Sequence, residues 1–175
     1  MKYLNQYRWM AFGLASAIFA FFILVVLPNE AINLASVTNV SGSPDTSLIY
    51  GPTQFYAWAA GYGEAGRAYY IQSRFGFDLV WPLAYGLLLF TGIRAGGLQA
   101  RQVLALIPVL TVLFDYAENT IAALLMGLYP TELAALVYVA SFATFVKWLT
   151  LGLSFGLMFL GFGKTIKARM QRTAV

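Results

Sequence analysis

Four long apolar stretches dominate the hydropathy pattern of this 175-residue chain. They run from about 9 to 27, 77 to 93, 103 to 126 and 133 to 162. Each is long enough to cross the hydrocarbon core of a bilayer, which takes about 20 helical residues. The pattern therefore predicts an all-α membrane protein, with four transmembrane helices packed as one bundle in a single domain.

The connection between the first two stretches, residues 28–76, is the longest polar segment, and we expect it on the outer side. Its first half is polar and contains Gly and Pro, which predicts irregular structure. In its second half Thr53 can cap a short helix that Gly61 and Gly63 interrupt, and a second short helix is predicted for residues 64–75. Because this half is rich in Phe, Tyr and Trp, we expect short interfacial helices on the bundle surface.

Composition supports the membrane assignment and charge gives an orientation. Hydrophobic residues make up 60% and charged residues 10%, against about 25% charged in soluble domains. Eight of the eleven basic residues fall on one side if the N-terminus is cytoplasmic: Lys2, Arg8, Arg94, Arg101, Lys164, Lys167, Arg169 and Arg172. The positive-inside rule then predicts cytoplasmic termini, an uncleaved first span and a basic tail that meets lipid and not nucleic acid.

Missing residue types exclude several chemistries. The chain has no cysteine and no histidine, which removes disulfides, His-ligated zinc or haem, and Ser-His-Asp triads. It also contains no phosphate-binding loop, dinucleotide fingerprint or metal-spaced cluster. We predict no metal and no cofactor from the sequence.

The third apolar stretch carries a polar stripe. Thr111, Asp115, Glu118 and Asn119 are spaced three or four residues apart, so they share one helix face. Charged side chains inside a bilayer are costly and usually face the interior of a bundle. We expect this stripe to turn inward and to form a ligand- or ion-binding site.

The fourth stretch has two distinct faces. Its polar face consists of Thr144, Lys147, Thr150 and Ser154. Gly152 and Gly156 point nearly the opposite way, and small residues at this spacing favour close helix packing. They predict contact with another helix or subunit, as in a homodimer or a larger membrane complex.

Lys147 is the predicted counter-ion of Asp115. If the last two helices fold about Pro130, Asp115 lies 15 residues before the turn and Lys147 lies 17 after it. Their heights then differ by roughly 3 Å. Glu118, one turn nearer the outside, leaves two carboxylates for one cation, so either a proton, a cation or a further basic group is needed.

The second stretch and the outer segment add polar candidates. Asp78 and Tyr85 share a face, which suggests a polar funnel toward the third helix, although Asp78 can also simply cap its helix and Tyr85 donate one structural hydrogen bond. Arg67 and Arg74 lie on the same outer side. Either can pair with Asp78 or with Glu64.

Three short motifs are shared with a known group. They are Gly63-x-x-Gly66-Arg67-x-x-Tyr70, Phe77-Asp78-x-x-x-Pro82-x-x-Tyr85 and Asp115-x-x-Glu118-Asn119. Across residues 63–119 the chain resembles small bacterial four-span integral membrane proteins of unassigned activity. The resemblance implies a bacterial inner-membrane protein and implies no reaction.

Three functions remain open from sequence. The polar site of Asp115, Glu118, Asn119 and Lys147 can bind a proton, a cation or a polar lipid or small ligand, for transport or sensing. The chain can instead be a non-catalytic accessory subunit that assembles a larger complex. A lipid-modifying enzyme that uses carboxylates ranks last, because no nucleophile lies beside a base.

Overall fold

The structure, a computed structural model, describes residues 2–38, 40–97 and 102–173. Arg101 lies outside these ranges, and the side chains of Lys2, Arg169 and Arg172 are also outside the described part. Within the described ranges the chain is helical and has no strand. Four helical stretches are long and apolar enough to cross a membrane: Tyr7–Val37, Pro52–Ala95, Val103–Leu128 and Ala134–Ala168. The all-α prediction with four such helices is confirmed.

The α-helices in chain order are α1 (Lys2–Phe21), α2 (Leu27–Val37), α3 (Pro52–Arg74), α4 (Trp81–Ala95), α5 (Ile107–Leu128) and α6 (Ala134–Thr173). A π turn, Phe22–Val26, joins α1 to α2, and 3₁₀ turns occur at Pro44–Thr46, Phe77–Leu79 and Gln102–Leu106. The α5–α6 hairpin is the most extensive helix pair, and α1 packs on α4.

The first long helix does not end at Pro28, where we predicted the start of the outer connection. It continues to Val37 through the π turn, in which the Leu27 amide bonds the carbonyl of Phe22. In a regular α-helix the Pro28 ring would clash with the carbonyl of Leu24. The wider turn ahead of the proline relieves that clash, so the helix continues.

The two helices predicted in the outer segment are present as the two halves of α3. Its backbone departs from helical geometry at Gly63, with φ 64° and ψ −175°. Glycine reaches positive φ without the steric cost other residues incur, which explains why the bend falls there. Gly61, the other predicted break, stays helical, and its missing side chain lets Val40 approach.

Five of the six aromatic residues of α3 are buried and Tyr69 is half-buried, so these rings pack inside the bundle and not, as predicted, on its surface. Phe55, Tyr62 and Tyr70 are at most 2% exposed. They pack with Tyr50, Tyr56, Trp58 and Ala59 against Ala122, Leu125 and Met126 of α5 and Val137 and Ala140 of α6. We call this group the aromatic core, and the end of the bundle that it fills the loop end. The large ring surfaces find more contact area against two helices than on an outer surface.

A second apolar core fills the opposite end. Tyr85, Leu89 and Ile93 of α4 pack there with Met158 of α6, and Phe12 of α1 covers them. Asp115, Glu118 and Asn119 of the polar stripe lie between Val112, which borders this core, and Ala122 of the aromatic core. The bundle therefore consists of two apolar cores separated by one polar layer.

Close backbone packing occurs at a different glycine pair from the predicted one. A Cβ added to Gly96 would lie 2.9 Å from Gly161 Cα, so α4 and α6 touch there. Gly152 and Gly156 are exposed, and a Cβ on either would meet nothing within 4 Å. Within the described ranges, no helix of this chain covers that face of α6.

Candidate functional site

The polar stripe of α5 turns inward. Thr111, Asp115, Glu118 and Asn119 are each no more than 5% exposed. The helix continues unbroken through them because Leu, Ala and Ile occupy its other faces and no Gly or Pro interrupts the stripe. The predicted residues are therefore brought together in one buried layer.

Lys147 pairs with Glu118 and not, as predicted, with Asp115. Lys147 Nζ lies 2.5 Å from Glu118 Oε2, and it also donates to the carbonyl of Asp45 at 3.3 Å. Glu118 and Asp115 are less than one turn apart on the same face. A lysine stem can reach either of them, so axial height alone could not decide between the two.

Asp115 is held by neutral groups. Tyr85 donates from its hydroxyl to Oδ2 at 2.7 Å, and Asn119 donates from Nδ2 to Oδ1 at 2.8 Å. Within the described residues Asp115 forms no ion pair. Tyr85 thus donates one hydrogen bond, as the sequence allowed, and its acceptor is the buried carboxylate of Asp115.

Arg74 occupies the loop-end side of the layer. Its Nη1 lies 2.8 Å from Asp78 Oδ2 and 3.1 Å from Asp45 Oδ2, and it donates to Asn119 Oδ1 at 3.4 Å. The Tyr70 ring stacks under the guanidinium, 4.6 Å away. Of the two partners proposed for Arg74, Asp78 is the one it contacts.

Asp45 is the residue that sequence reasoning missed. The 3₁₀ turn Pro44–Thr46 holds it in place, and the Ser43 hydroxyl donates to its Oδ1 at 2.6 Å. Burial raises the pKa of Asp45, but the attraction of Arg74 and Lys147 with the Ser43 hydrogen bond outweighs burial and lowers the pKa to about 2. The signal was available in the Ser-Pro-Asp-Thr turn and in the need to balance buried basic residues.

Arg67 and Glu64 do not join the layer. Arg67 donates to the carbonyl of Ala59 at 2.9 Å and lies over the Tyr129 ring at 4.5 Å. Glu64 is exposed. The contacts of Arg67 join α3 to the turn between α5 and α6 and do not reach the buried site.

The polar face of α6 completes the layer. Thr150 accepts a hydrogen bond from Thr111 at 2.9 Å, which ties α6 to α5, and Thr144 donates to the Tyr50 hydroxyl at 3.3 Å. Ser154 bonds the carbonyl one turn back. These hydroxyls satisfy backbone and side-chain groups locally and leave the charged residues to one another.

Three buried polar atoms form no hydrogen bond among the described residues: the hydroxyl of Tyr70 and both carboxylate oxygens of Glu118. Of these, Oε2 of Glu118 is in the ion pair with Lys147, whereas the other two atoms have no polar partner. Tyr70 is 1% exposed and Glu118 is fully buried. Unsatisfied groups of this kind are rare in protein interiors and mark places where a water or ligand atom is accommodated.

Acidic groups outnumber basic groups in the layer. Four carboxyls, those of Asp45, Asp78, Asp115 and Glu118, face two cations, Arg74 and Lys147. Four negative against two positive charges leaves an excess of two if all carboxyls are ionised. Across the described part of the chain, no three His, Cys, Asp or Glu side chains converge on a point that could hold a metal ion.

A cavity of about 330 Å³ opens beside these charges. Asp45, Asp78, Asp115 and Lys147 line it. A second cavity, about 300 Å³, shares Asp45 and three further lining residues with the first and extends toward Glu30 and Tyr69. The two cavities therefore adjoin at Leu27, Asp45, Thr46 and Phe77, and the first reaches Asp115.

Comparison with known proteins adds no assignment. No protein-family model, no curated protein and no solved structure matches this chain. The function must therefore be argued from the polar layer and the cavity themselves.

Proposed function

We propose that the chain is an integral protein of a bacterial inner membrane, with the polar layer inside the bilayer and both termini cytoplasmic. Four apolar helices of sufficient length support the membrane location. Lys164 and Lys167 follow the apolar part of α6, and Arg94 ends α4, which supports the orientation by the positive-inside rule.

The proposed function is cation or polar-ligand binding at the layer, in transport or sensing. The observation that carries it is Asp115, a carboxylate that is 5% exposed, lines a cavity and has only neutral hydrogen-bond donors. A buried carboxylate that forms no ion pair is expensive even with the Lys147 ammonium in the same cavity wall, because the interior does not replace the hydration that it loses. Binding of a proton, a cation or a cationic ligand removes that cost.

The cavities give such a ligand a route. The second cavity borders Glu30 and Tyr69 in the part of the chain near the loop end, and the first reaches Asp115. Asp45 and Phe77 stand at the boundary that they share. Across the two cavities four carboxylates, those of Glu30, Asp45, Asp78 and Asp115, outnumber the two cations Arg74 and Lys147, which favours a ligand of positive charge.

The test is ligand-dependent thermal stability of the purified full chain. Protons, Na⁺, K⁺, Mg²⁺ and small polar solutes would be compared on the parent, on Asp115→Asn and on Glu132→Gln, an exposed acid outside the layer. We expect at least one ligand to raise the midpoint of the parent and of Glu132→Gln but not of Asp115→Asn. If every ligand acts alike on all three proteins, the layer is structural and the proposal fails.

Orientation can be tested separately, because the chain has no cysteine. Ser41→Cys places a single thiol at an exposed position on the proposed outer side, and Lys167→Cys places one on the proposed cytoplasmic side. In intact cells an impermeant thiol reagent should label the first and spare the second. The reverse pattern would invert the proposed topology.

A second candidate is a role as an accessory subunit, which the open face of α6 favours. Gly152 and Gly156 border a shallow groove with Trp148, Leu149 and Leu153 on its walls. If this face seats a partner helix, Gly156→Leu should break a complex isolated in mild detergent while leaving ligand-dependent stability intact. An unchanged complex would remove this candidate.

A further inference from the structure

The first cavity combines acidic and aromatic walls. Beside its carboxylates it is lined by Phe77, Trp81, Tyr85 and Trp148. Ile23, within the π turn, and Leu27, the first residue of α2, close it on the α1–α2 side. Its volume of about 330 Å³ lies in the range of small-molecule sites, roughly 300–1,000 Å³.

The charges in the wall select the sign of the occupant. Arg74 forms ion pairs with Asp45 and Asp78, and Lys147 forms an ion pair with Glu118. Asp115 is left with neutral partners. An anion would add to the negative excess, whereas a cation would reduce it.

The aromatic rings select the kind of cation. Ca²⁺ and Mg²⁺ require six or more oxygen ligands in a compact shell, and no group of three acidic side chains that could hold them exists among the described residues. Faces of Trp and Tyr rings attract organic ammonium groups instead. The Trp148 ring already borders one ammonium, because Lys147 Nζ lies 5.6 Å from its centroid.

We propose that this cavity binds the ammonium group of a small organic amine, with Asp115 as its counter-ion and the rings of Trp81 and Trp148 as its walls. This inference rests on the proposed function of the polar layer and names the ligand class. The ammonium can belong to a free amine or to a lipid head group. A lipid is included because Ile23 of the cavity wall is 42% exposed, so the cavity borders the outer surface of the helix bundle.

The experiment measures binding of choline and ethanolamine to the full chain in nanodiscs of phosphatidylglycerol, which has no ammonium. The neutral carbon isostere of choline and KCl serve as comparison ligands. We expect choline or ethanolamine to bind, the isostere to bind at least roughly tenfold more weakly, and KCl not to compete.

Matched variants locate the site. Asp115→Asn and Trp148→Leu should each weaken amine binding roughly tenfold, and Trp148→Phe should restore part of it. Glu132→Gln and Trp9→Leu are the controls, since Glu132 is exposed and Trp9 stacks on Phe162 away from the cavity. Equal binding of choline and its isostere, or equal loss in the controls, would overturn the inference.

Two further results are informative. The first distinguishes failure of the amine inference from failure of the proposed function, and the second distinguishes a free amine from a lipid head group. If protons or K⁺ stabilise the parent through Asp115 while amines do nothing, the proposed function stands and the amine inference falls. If no ligand acts through Asp115, both fall. Nanodiscs that contain phosphatidylethanolamine or phosphatidylcholine should block soluble amines if the head group is the ligand, and should leave them unaffected if it is a free amine.

Discussion

The two sides of the polar layer solve the problem of buried charge in opposite ways. On one side, Arg74 is surrounded by Asp45 and Asp78 and by the amide oxygen of Asn119. On the other side, Asp115 lines a cavity and has only the hydroxyl of Tyr85 and the amide of Asn119. Asn119 contacts both sides and therefore links them.

The difference separates structure from binding. A cation enclosed by two carboxylates holds α3, the Asp45 turn and the start of α4 together, and it has no capacity left for a ligand. A carboxylate that forms no ion pair contributes less to assembly, and in the proposed function it is the group that a ligand meets. The stability of the fold should therefore depend strongly on Arg74 and weakly on Asp115, and ligand responses should show the reverse order.

Arg74→Met should cause the largest loss. It leaves the buried carboxylates of Asp45 and Asp78 without their cation, and removal of one partner from a buried pair costs about 3–5 kcal/mol. Thermal midpoints of the purified protein would measure the loss. Arg67→Met is the matched control, because Arg67 lies outside the layer, and it should cost under about 1 kcal/mol. Equal losses for the two variants would contradict the assigned role of Arg74.

Lys147→Met should cause the next largest loss, about 3 kcal/mol, because one buried carboxylate instead of two is left unpaired. Adding Glu118→Gln to it should recover stability, since the double variant no longer buries an unpaired charge. The coupling energy in this double-mutant cycle should be about 2 kcal/mol. A cycle with Asp115→Asn in place of Glu118→Gln should show weaker coupling, and stronger coupling there would restore the Lys147–Asp115 pairing that the sequence predicted.

The sequence predicted the layer well along single helices and poorly across long connections. Spacing of three and four residues placed Asp115, Glu118 and Asn119 on one face, because helix geometry is local. The partner of Lys147 depends on the rotation of α6 about its own axis, which packing sets and spacing does not. The comparison of axial heights therefore placed Lys147 in the correct layer but assigned it to Asp115 in place of Glu118.

Asp45 shows more clearly which contacts cannot be predicted from spacing along the sequence. It lies 102 residues from Lys147, whose ammonium its carbonyl accepts. Its position depends on α3 entering the core, and that follows from ring packing across three helices. The continuation of the first helix past Pro28 has a similar origin, in a π turn that no simple breaker rule contains. Spacing along a helix determines which side chains share a face, whereas packing between distant segments determines which faces contact each other.

Asp45→Asn should have a smaller effect than the loss of either cation, and the effect should depend on pH. The pKa of Asp45 falls from 3.8 to about 2 in the folded chain, so the unfolded state binds more protons and stability rises with pH. The parent should exceed the variant by about 2 kcal/mol near neutral pH. That difference should shrink as pH falls below about 4 and vanish near pH 2. Melting curves across this window would show it, and a difference that stays constant would mean that shape and not charge holds the turn.

Asp115→Asn should have the smallest effect on stability, under about 1 kcal/mol. Its amide oxygen can still accept from Asn119 Nδ2, and its amide nitrogen can donate to the Tyr85 hydroxyl, which serves as donor or acceptor. The buried negative charge disappears, and this gain offsets the weaker hydrogen bonds. The midpoint should therefore stay close to that of the parent while the response to added cations is lost. If Asp115→Asn instead unfolds the protein as readily as Arg74→Met, then both sides of the layer are structural, and the contrast between a closed ion cluster and an available carboxylate does not hold.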